Sequence, residues 1–173
     1  MILIESYINY ILSKLQTQNF VLLFAPLTES NMSADFFTSD QVYIIVNTNT
    51  LNVQTSWDGA TNNINESYSF QICFVKQHPI NDTWQEMSGL MRQCEDMRRN
   101  FIAQLTYEST FVESSQKGIV NFGSSETWIK EFDSNLSGWS LQVTIPLDVN
   151  RAFCYNCCET ESKFDFGCLT VCQ

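Results

Sequence analysis

The chain has 173 residues, enough for one ordinary domain with a buried core and a small appendage. Hydrophobic residues make up 44% of it, aromatic residues 13% and charged residues only 16%, which excludes a disordered chain. The formal charge of −10, from 19 acidic and 9 basic residues, argues against a protein that wraps nucleic acid, because phosphate binding needs cations.

The N-terminal residues predict an amphipathic helix. Apolar side chains from Ile4 to Leu15 recur at three- and four-residue spacing, which is the period of a helix with one buried face. Glu5 interrupts the apolar residues, and no stretch of the chain has the 18 or so apolar residues of a membrane helix. We therefore expect no secretion signal and no membrane contact, and a soluble protein made in a cytosol.

Three strands are expected next. The apolar run Phe20–Phe24 is stopped by Pro26, and the polar segment Leu27–Asp40 predicts a loop. Val42–Val53 begins with a β-branched stretch that is apolar on both faces, as in the centre of a sheet. Tyr68–Phe74 alternates apolar and small or polar residues, which predicts a strand with one buried face.

A long helix is expected between residues 84 and about 106. Thr83 and Glu86 have the spacing of a capping box, in which each side chain bonds the backbone of the other residue. An apolar stripe follows from Trp84 through Met91 and Phe101 to Leu105. At 1.5 Å per residue this helix would be roughly 33 Å long.

The remaining elements are strands and a cysteine-rich tail. Glu126–Phe132 predicts one strand, Ser137-Gly138 a turn, and Trp139–Ile145 a final strand that Pro146 ends. The element order favours an α+β fold with a mostly antiparallel sheet, packed by the N-terminal helix and the one long helix. We assign residues 1–150 to this domain and residues 151–173 to the tail.

The tail contains five of the seven cysteines, a crowding that in a cytosolic protein points to metal rather than to a disulfide framework. Four thiolates suit the tetrahedral coordination of a structural zinc ion. The candidate ligands are Cys154, Cys157, Cys168 and Cys172, with Cys158 spare or replacing Cys157. The spacing between and within the pairs fits no zinc-finger pattern strictly, so a reduced tail, or one that forms disulfides in air, stays an alternative.

We find no catalytic motif and expect no enzyme. His78 is the only histidine, and paired with Cys73 or Cys94 it could serve as the base that activates a thiol nucleophile. The pattern instead favours a histidine in a surface loop and two small buried thiols. There is no glycine-rich phosphate loop, and the carboxylates form no recognisable pair.

This order of elements resembles the tail-terminator and head–tail joining (neck) proteins of tailed bacteriophages. The resemblance covers roughly residues 1–150, and the stretch GWSLQVTIPL, residues 138–147, is similar to the final strand of many such proteins. The cysteine-rich tail departs from the usual family pattern and is similar to chains of crAss-like phages.

The resemblance implies a structural virion protein at the phage neck or tail top, assembled in the cytoplasm of a bacterial host. Such proteins form rings, commonly of six or twelve subunits, between portal or neck proteins and tail-tube proteins. DNA passes through the lumen without specific binding, and an acidic subunit suits that role. A ring needs unlike patches on each subunit, for which the edge strands and the loop Leu27–Asp40 are candidates. The alternative is a cytosolic zinc-stabilised adaptor that binds another protein through its tail.

Overall fold

The computed structural model describes residues 2–15, 19–28, 36–58, 63–78, 83–111, 120–131 and 134–148. Its helices are α1 (Ile2–Ser13) and α2 (Trp84–Phe111). Its strands are β1 (Phe20–Ala25), β2 (Val42–Asp58), β3 (Asn63–Gln77), β4 (Asn121–Glu131) and β5 (Leu136–Asp148). The chain therefore has the α+β fold that the sequence predicts.

The five strands form one sheet in the order β1-β2-β3-β5-β4. β1 lies parallel to β2, and every other neighbouring pair is antiparallel. β3 is the central strand and is paired along its length, from Asn65↔Asp148 to Gln77↔Leu136, with β5. The mostly antiparallel sheet expected from the sequence is thus confirmed, with one parallel pair at an edge.

Both helices cover the same face of the sheet, which we call the helix face. The main core lies between them and includes Ile8 of α1, Phe101 of α2 and Phe74 of β3, all fully buried. The rings of Phe74 and Phe101 lie 5.6 Å apart. The two helices also touch each other, since the Tyr10 hydroxyl donates to Glu108 Oε2 over 3.4 Å.

The start of α2 is the expected capping box. The Thr83 amide donates to Glu86 Oε2 over 2.7 Å, and the Glu86 amide donates to Thr83 Oγ1 over 3.4 Å. The helix then continues to Phe111, beyond the expected end. Trp84 is 73% exposed and does not belong to the buried stripe, because the stripe begins one turn later with Met87.

The prediction of a turn at Ser137-Gly138 is wrong, because both residues lie inside β5. Only glycine fits at position 138, because β3 comes very close. A methyl group at the Gly138 Cα would overlap the Phe74 carbonyl oxygen and lie 2.8 Å from Val75 Cα.

Pro146 does not end β5, which continues to Asp148. Proline is tolerated because Pro146 lies beyond the last residue paired with β4, so its missing amide interrupts no bond on that side.

The close approach at Gly138 gives a matched pair of glycine variants. Gly138→Ala is expected to lower the free energy of unfolding by about 2–3 kcal/mol or to prevent folding, because the methyl group must push β5 from β3. Gly89→Ala should raise it by about 0.5–1 kcal/mol, because Gly89 lies in α2 with nothing within 4 Å of the added carbon. Urea unfolding measures both, and equal effects of the two variants would contradict the packing described.

No helix among the described residues is both long enough and apolar enough to span a membrane.

Candidate functional site: the polar face of the sheet

The face of the sheet opposite the helices is divided into an apolar half and a polar half. In the apolar half, Tyr43, Ile45, Cys73 and Val75 are buried together. The segment before β2 covers them, because Phe37 packs edge-on against Tyr43 with ring centroids 4.7 Å apart and the Thr38 amide donates to the Tyr43 hydroxyl over 2.9 Å. This half is therefore a second, smaller core.

The polar half carries uncharged polar side chains on four adjacent strands, and we call it the polar face. The strand register fixes its membership, because directly paired residues point to the same side. It consists of Asn47, Asn52, Gln54, Ser67, Ser69, Gln71, Asn121, Gln142 and Thr144. Asn52, Gln54, Asn121 and Gln142 are exposed to solvent, so the polar face is open where the apolar half is closed.

Hydrogen bonds between strands hold these side chains in place. The hydroxyl groups of Ser69 and Thr144 lie 2.8 Å apart, and Asn47 Nδ2 donates to Gln71 Oε1 over 3.1 Å. Amides and hydroxyls present both donors and acceptors, so such a face binds water well and has no preference for an anion or a cation.

Asn47 is the anchor of the polar face, since it is only 6% exposed and lies where β2 is irregular. Asn47 pairs with Gln71 and Asn52 with Ser69, so residues 48–51 stand opposite Phe70 alone. Asn47 Oδ1 accepts the amide of Asn49 over 3.1 Å and that of Leu27 over 3.4 Å. One side chain therefore stabilises the bulge and the end of β1 together.

The charges of the molecule are distributed unequally about the sheet. No Lys or Arg occurs between Lys14 and Lys76, a segment that includes β1, β2 and most of β3. Every cation whose side chain the structure describes lies on a helix or contacts one. Lys76 of β3, for example, contacts α2, because its Nζ donates to Gln93 Oε1 over 3.0 Å. These cations are Lys14, Lys76, Arg92, Arg98 and Arg99. Within the described residues, the polar face therefore has no cation.

A carboxylate borders the polar face instead. Glu126 of β4 pairs with Ser140 of β5, and Ser140 pairs in turn with Cys73 of β3. The pKa of the Cys73 thiol lies far above its ordinary range, chiefly because the thiol is buried and secondarily because of the negative charge of Glu126. The charged side chain that the structure places beside the polar face is therefore acidic.

Strands β2 and β3 continue beyond the core as an arm, which we define as residues 52–58 and 63–67. All side chains from Asn52 to Trp57 are exposed. After the bulge, Val53 and Trp57 lie on the helix face of the arm, where they are 44% and 69% exposed. Exposed aromatic residues are enriched at protein interfaces, so the arm is the second candidate surface.

The two thiols that the structure describes, Cys73 and Cys94, are buried with the histidine, and the position of His78 corrects the sequence prediction. His78 is 2% exposed rather than in a surface loop, and its Nε2 lies 2.9 Å from the Ser137 hydroxyl. The Cys94 thiol donates to the Ser137 carbonyl oxygen over 3.8 Å. Burial raises the pKa of Cys94 to about 12, so the thiol is neutral near pH 7. The arrangement suits packing better than nucleophilic attack.

The predicted zinc ligands Cys154, Cys157, Cys168 and Cys172 lie outside the described residues, as does Cys158. So does most of the loop Leu27–Asp40, of which residues 27–28 and 36–40 are described. Among the described residues, no three His, Cys, Asp or Glu side chains form a group able to hold a metal ion.

Sequence reasoning missed the polar face, although its signal is present. The alternate positions of the strands around residues 69–71 and 140–144 are Ser, Thr or Gln without a charge, whereas solvent-facing strand positions commonly include charged residues. The alternation was sufficient to predict the strands. Only the register shows that these residues come together on one face.

No protein-family model matches this chain, and no curated protein sequence is significantly similar to it. The geometry of the polar face and the charge distribution therefore provide the basis for proposing a function.

The role of Asn47 can be tested against its neighbour on the polar face. Asn47→Ala should lower the free energy of unfolding by about 2–3 kcal/mol, because it removes the hydrogen bonds that this buried side chain makes to Leu27, Asn49 and Gln71. Asn52→Ala, which changes an exposed asparagine one register pair away, should change it by less than about 0.5 kcal/mol. Chemical denaturation of both variants measures the difference, and equal losses would show that Asn47 is not the anchor.

Proposed function

We propose that the chain is a structural subunit of a ring at the neck or tail top of a tailed bacteriophage, a tail-terminator or head–tail joining protein. The fold agrees with what the resemblance implies, since an N-terminal helix, three strands, a long helix and closing strands follow in that order. In the ring, six or twelve copies surround a channel for DNA. The neighbours are portal or neck proteins on one side and tail-tube proteins on the other, in a virion assembled in the bacterial cytoplasm.

The observation that supports this proposal most is that no cation with a described side chain lies on the polar face. DNA carries a phosphate on every nucleotide, and proteins bind it chiefly by neutralising phosphates with Lys and Arg. A channel lined by amides and hydroxyls, in a protein of net charge −10, remains hydrated and does not bind phosphates. We therefore place the polar face toward the lumen and the helices on the outside.

The subunit also has unlike surfaces, as a closed ring requires. A head-to-tail contact joins one patch to a different patch of the next copy. The sheet has an uncharged edge at β1 and a charged edge at β4, and the arm presents Trp57 beyond the core. These features favour a repeating contact over a two-fold one.

The cysteine-rich tail favours the second candidate function, a cytosolic adaptor stabilised by zinc. In this proposal, Cys154, Cys157, Cys168 and Cys172 hold a structural zinc ion, and the tail binds a separate protein. The two functions are compatible, since a zinc-ordered tail at the rim of a ring would be available to the adjacent ring.

Native mass spectrometry of the reduced full chain, purified without chelator, tests the assembly and the metal together. The ring proposal predicts a closed oligomer of six or twelve copies, and zinc would add about 65 Da to each copy. A monomer at every concentration, with zinc and a captured protein partner, would favour the adaptor and contradict the ring.

The lining of the channel is tested by adding one cation. Gln142→Lys places an exposed lysine on the polar face, whereas Ser88→Lys places one on the exposed surface of α2. Rings of the Gln142 variant should retain double-stranded DNA at low salt and release it as salt rises, because counterion release weakens phosphate contacts. Wild-type rings and Ser88→Lys rings should not retain it. Equal retention by both variants would mean that the polar face does not line the channel.

A further inference from the structure

The two edges of the sheet run in opposite directions. β1 and β2 are parallel, and three antiparallel pairings then lead through β3 and β5 to β4. β4 therefore runs opposite to β1. When two copies are placed side by side in the same orientation, β4 of one meets β1 of the next as an antiparallel pair, which is the more stable kind of strand pairing.

β1 lies at one edge of the sheet and lacks several of the features that protect an edge strand. Its six residues, FVLLFA, include no charge, proline or bulge, and no strand among the described residues pairs with its outer side. The Val42 amide of β2 donates to the Asn19 carbonyl oxygen, just before β1, over 3.4 Å. Because alternate residues of a strand bond the same neighbouring strand, the backbone groups of the odd-numbered residues of β1 are the ones that bond β2. The amides and carbonyls of Phe20, Leu22 and Phe24 then point outward. An apolar edge with unpaired backbone groups of this kind can hydrogen-bond a strand of another chain.

β4 is a well-anchored partner edge. Its segment Ser125–Trp128 pairs regularly with β5, between two irregular positions. Arg98 of α2 holds this segment, because its Nη1 donates to Ser125 Oγ over 3.2 Å. Ile129, at the end of the segment, is 51% exposed, and Phe122 before it is 37% exposed. β4 thus offers a regularly paired segment with Phe122 before it and Ile129 after it, in a strand that also carries Glu126, Lys130 and Glu131.

We propose that β4 of one copy pairs with β1 of the next copy in antiparallel fashion, so that the sheets of the ring are continuous. This contact rests on the ring proposed above. It keeps all helices on one side of the continuous sheet and the polar faces of all copies on the other. The occupant of the β1 edge is thus a second copy of this chain, and the contact repeats head to tail because the two edges differ.

Hydrogen–deuterium exchange resolved to single amides tests this contact in the full chain. The outward amides of Phe20, Leu22 and Phe24 should exchange quickly in the monomer and about tenfold or more slowly in the ring, because pairing with β4 protects them. The amides of Val21 and Leu23, bonded to β2, are the internal control and should be protected in both states. Oligomeric state is measured on the same samples by native mass spectrometry.

Each outcome bears on the contact differently. A ring in which the three outward amides still exchange quickly would contradict the strand pairing and leave the proposed function standing. Slow exchange of the outward amides in the monomer would mean that the chain covers its own β1 edge. A closed dimer would indicate that β1 pairs with β1 of a second copy. Either result would overturn the pairing of β4 with β1. Absence of any oligomer would overturn the ring itself.

A pair of variants checks the other side of the contact. Ile129→Asp should weaken assembly about tenfold or more, because it places a charge at the apolar end of the β4 edge. Trp84→Asp is the control, since Trp84 is more exposed and lies at the first turn of α2, where an acidic residue is favourable. Both variants should keep the wild-type circular dichroism spectrum. Equal assembly of the two would contradict a role for β4.

Discussion

The register between β3 and β5 determines which side chains of the sheet face the helices and which face away from them. In a strand, a shift of one residue moves every side chain to the opposite face. Gly138 fixes this register, because it lies against the Phe74 carbonyl and Val75, where no side chain fits. With Gly138 in place, Trp139, Leu141 and their alternate neighbours pack toward the helices, and the polar residues of β5 take the other face. The two faces thus acquire their separate chemistry from one close backbone contact.

Most of the fold could be predicted from the sequence, because its main signals are local. The three- and four-residue spacing from Ile4 gave α1, and the Thr83–Glu86 spacing gave the start of α2. The errors arise where a contact distant in the chain decides the outcome. Gly138 has the appearance of a turn residue, but the approach of β3 makes it a strand residue. His78 follows a strand and precedes a proline, but Ser137 of β5 gives its ring a buried partner.

The candidate site was less predictable than the fold. Asn47, Gln71 and Thr144 are far apart in the sequence, and none has a pattern that marks a site by itself. Their significance comes from the register, which places them on one face, and from the absence of cations between Lys14 and Lys76. The predicted zinc ligands of the tail stay a prediction, since they lie outside the described residues. The proposed ring follows from surfaces rather than from a catalytic group: a hydrated lining for DNA and two unlike edges for assembly.

In the proposed ring, copies of this chain close around a channel with the polar face inside. Electron cryomicroscopy of the assembled chain shows which face of the sheet lines the channel. We expect a closed ring of six or twelve copies, with α2 on the outer wall and the strands β2, β3 and β5 lining the channel. A ring whose channel is lined by the helices and their arginines, or a two-fold dimer without a channel, would contradict it.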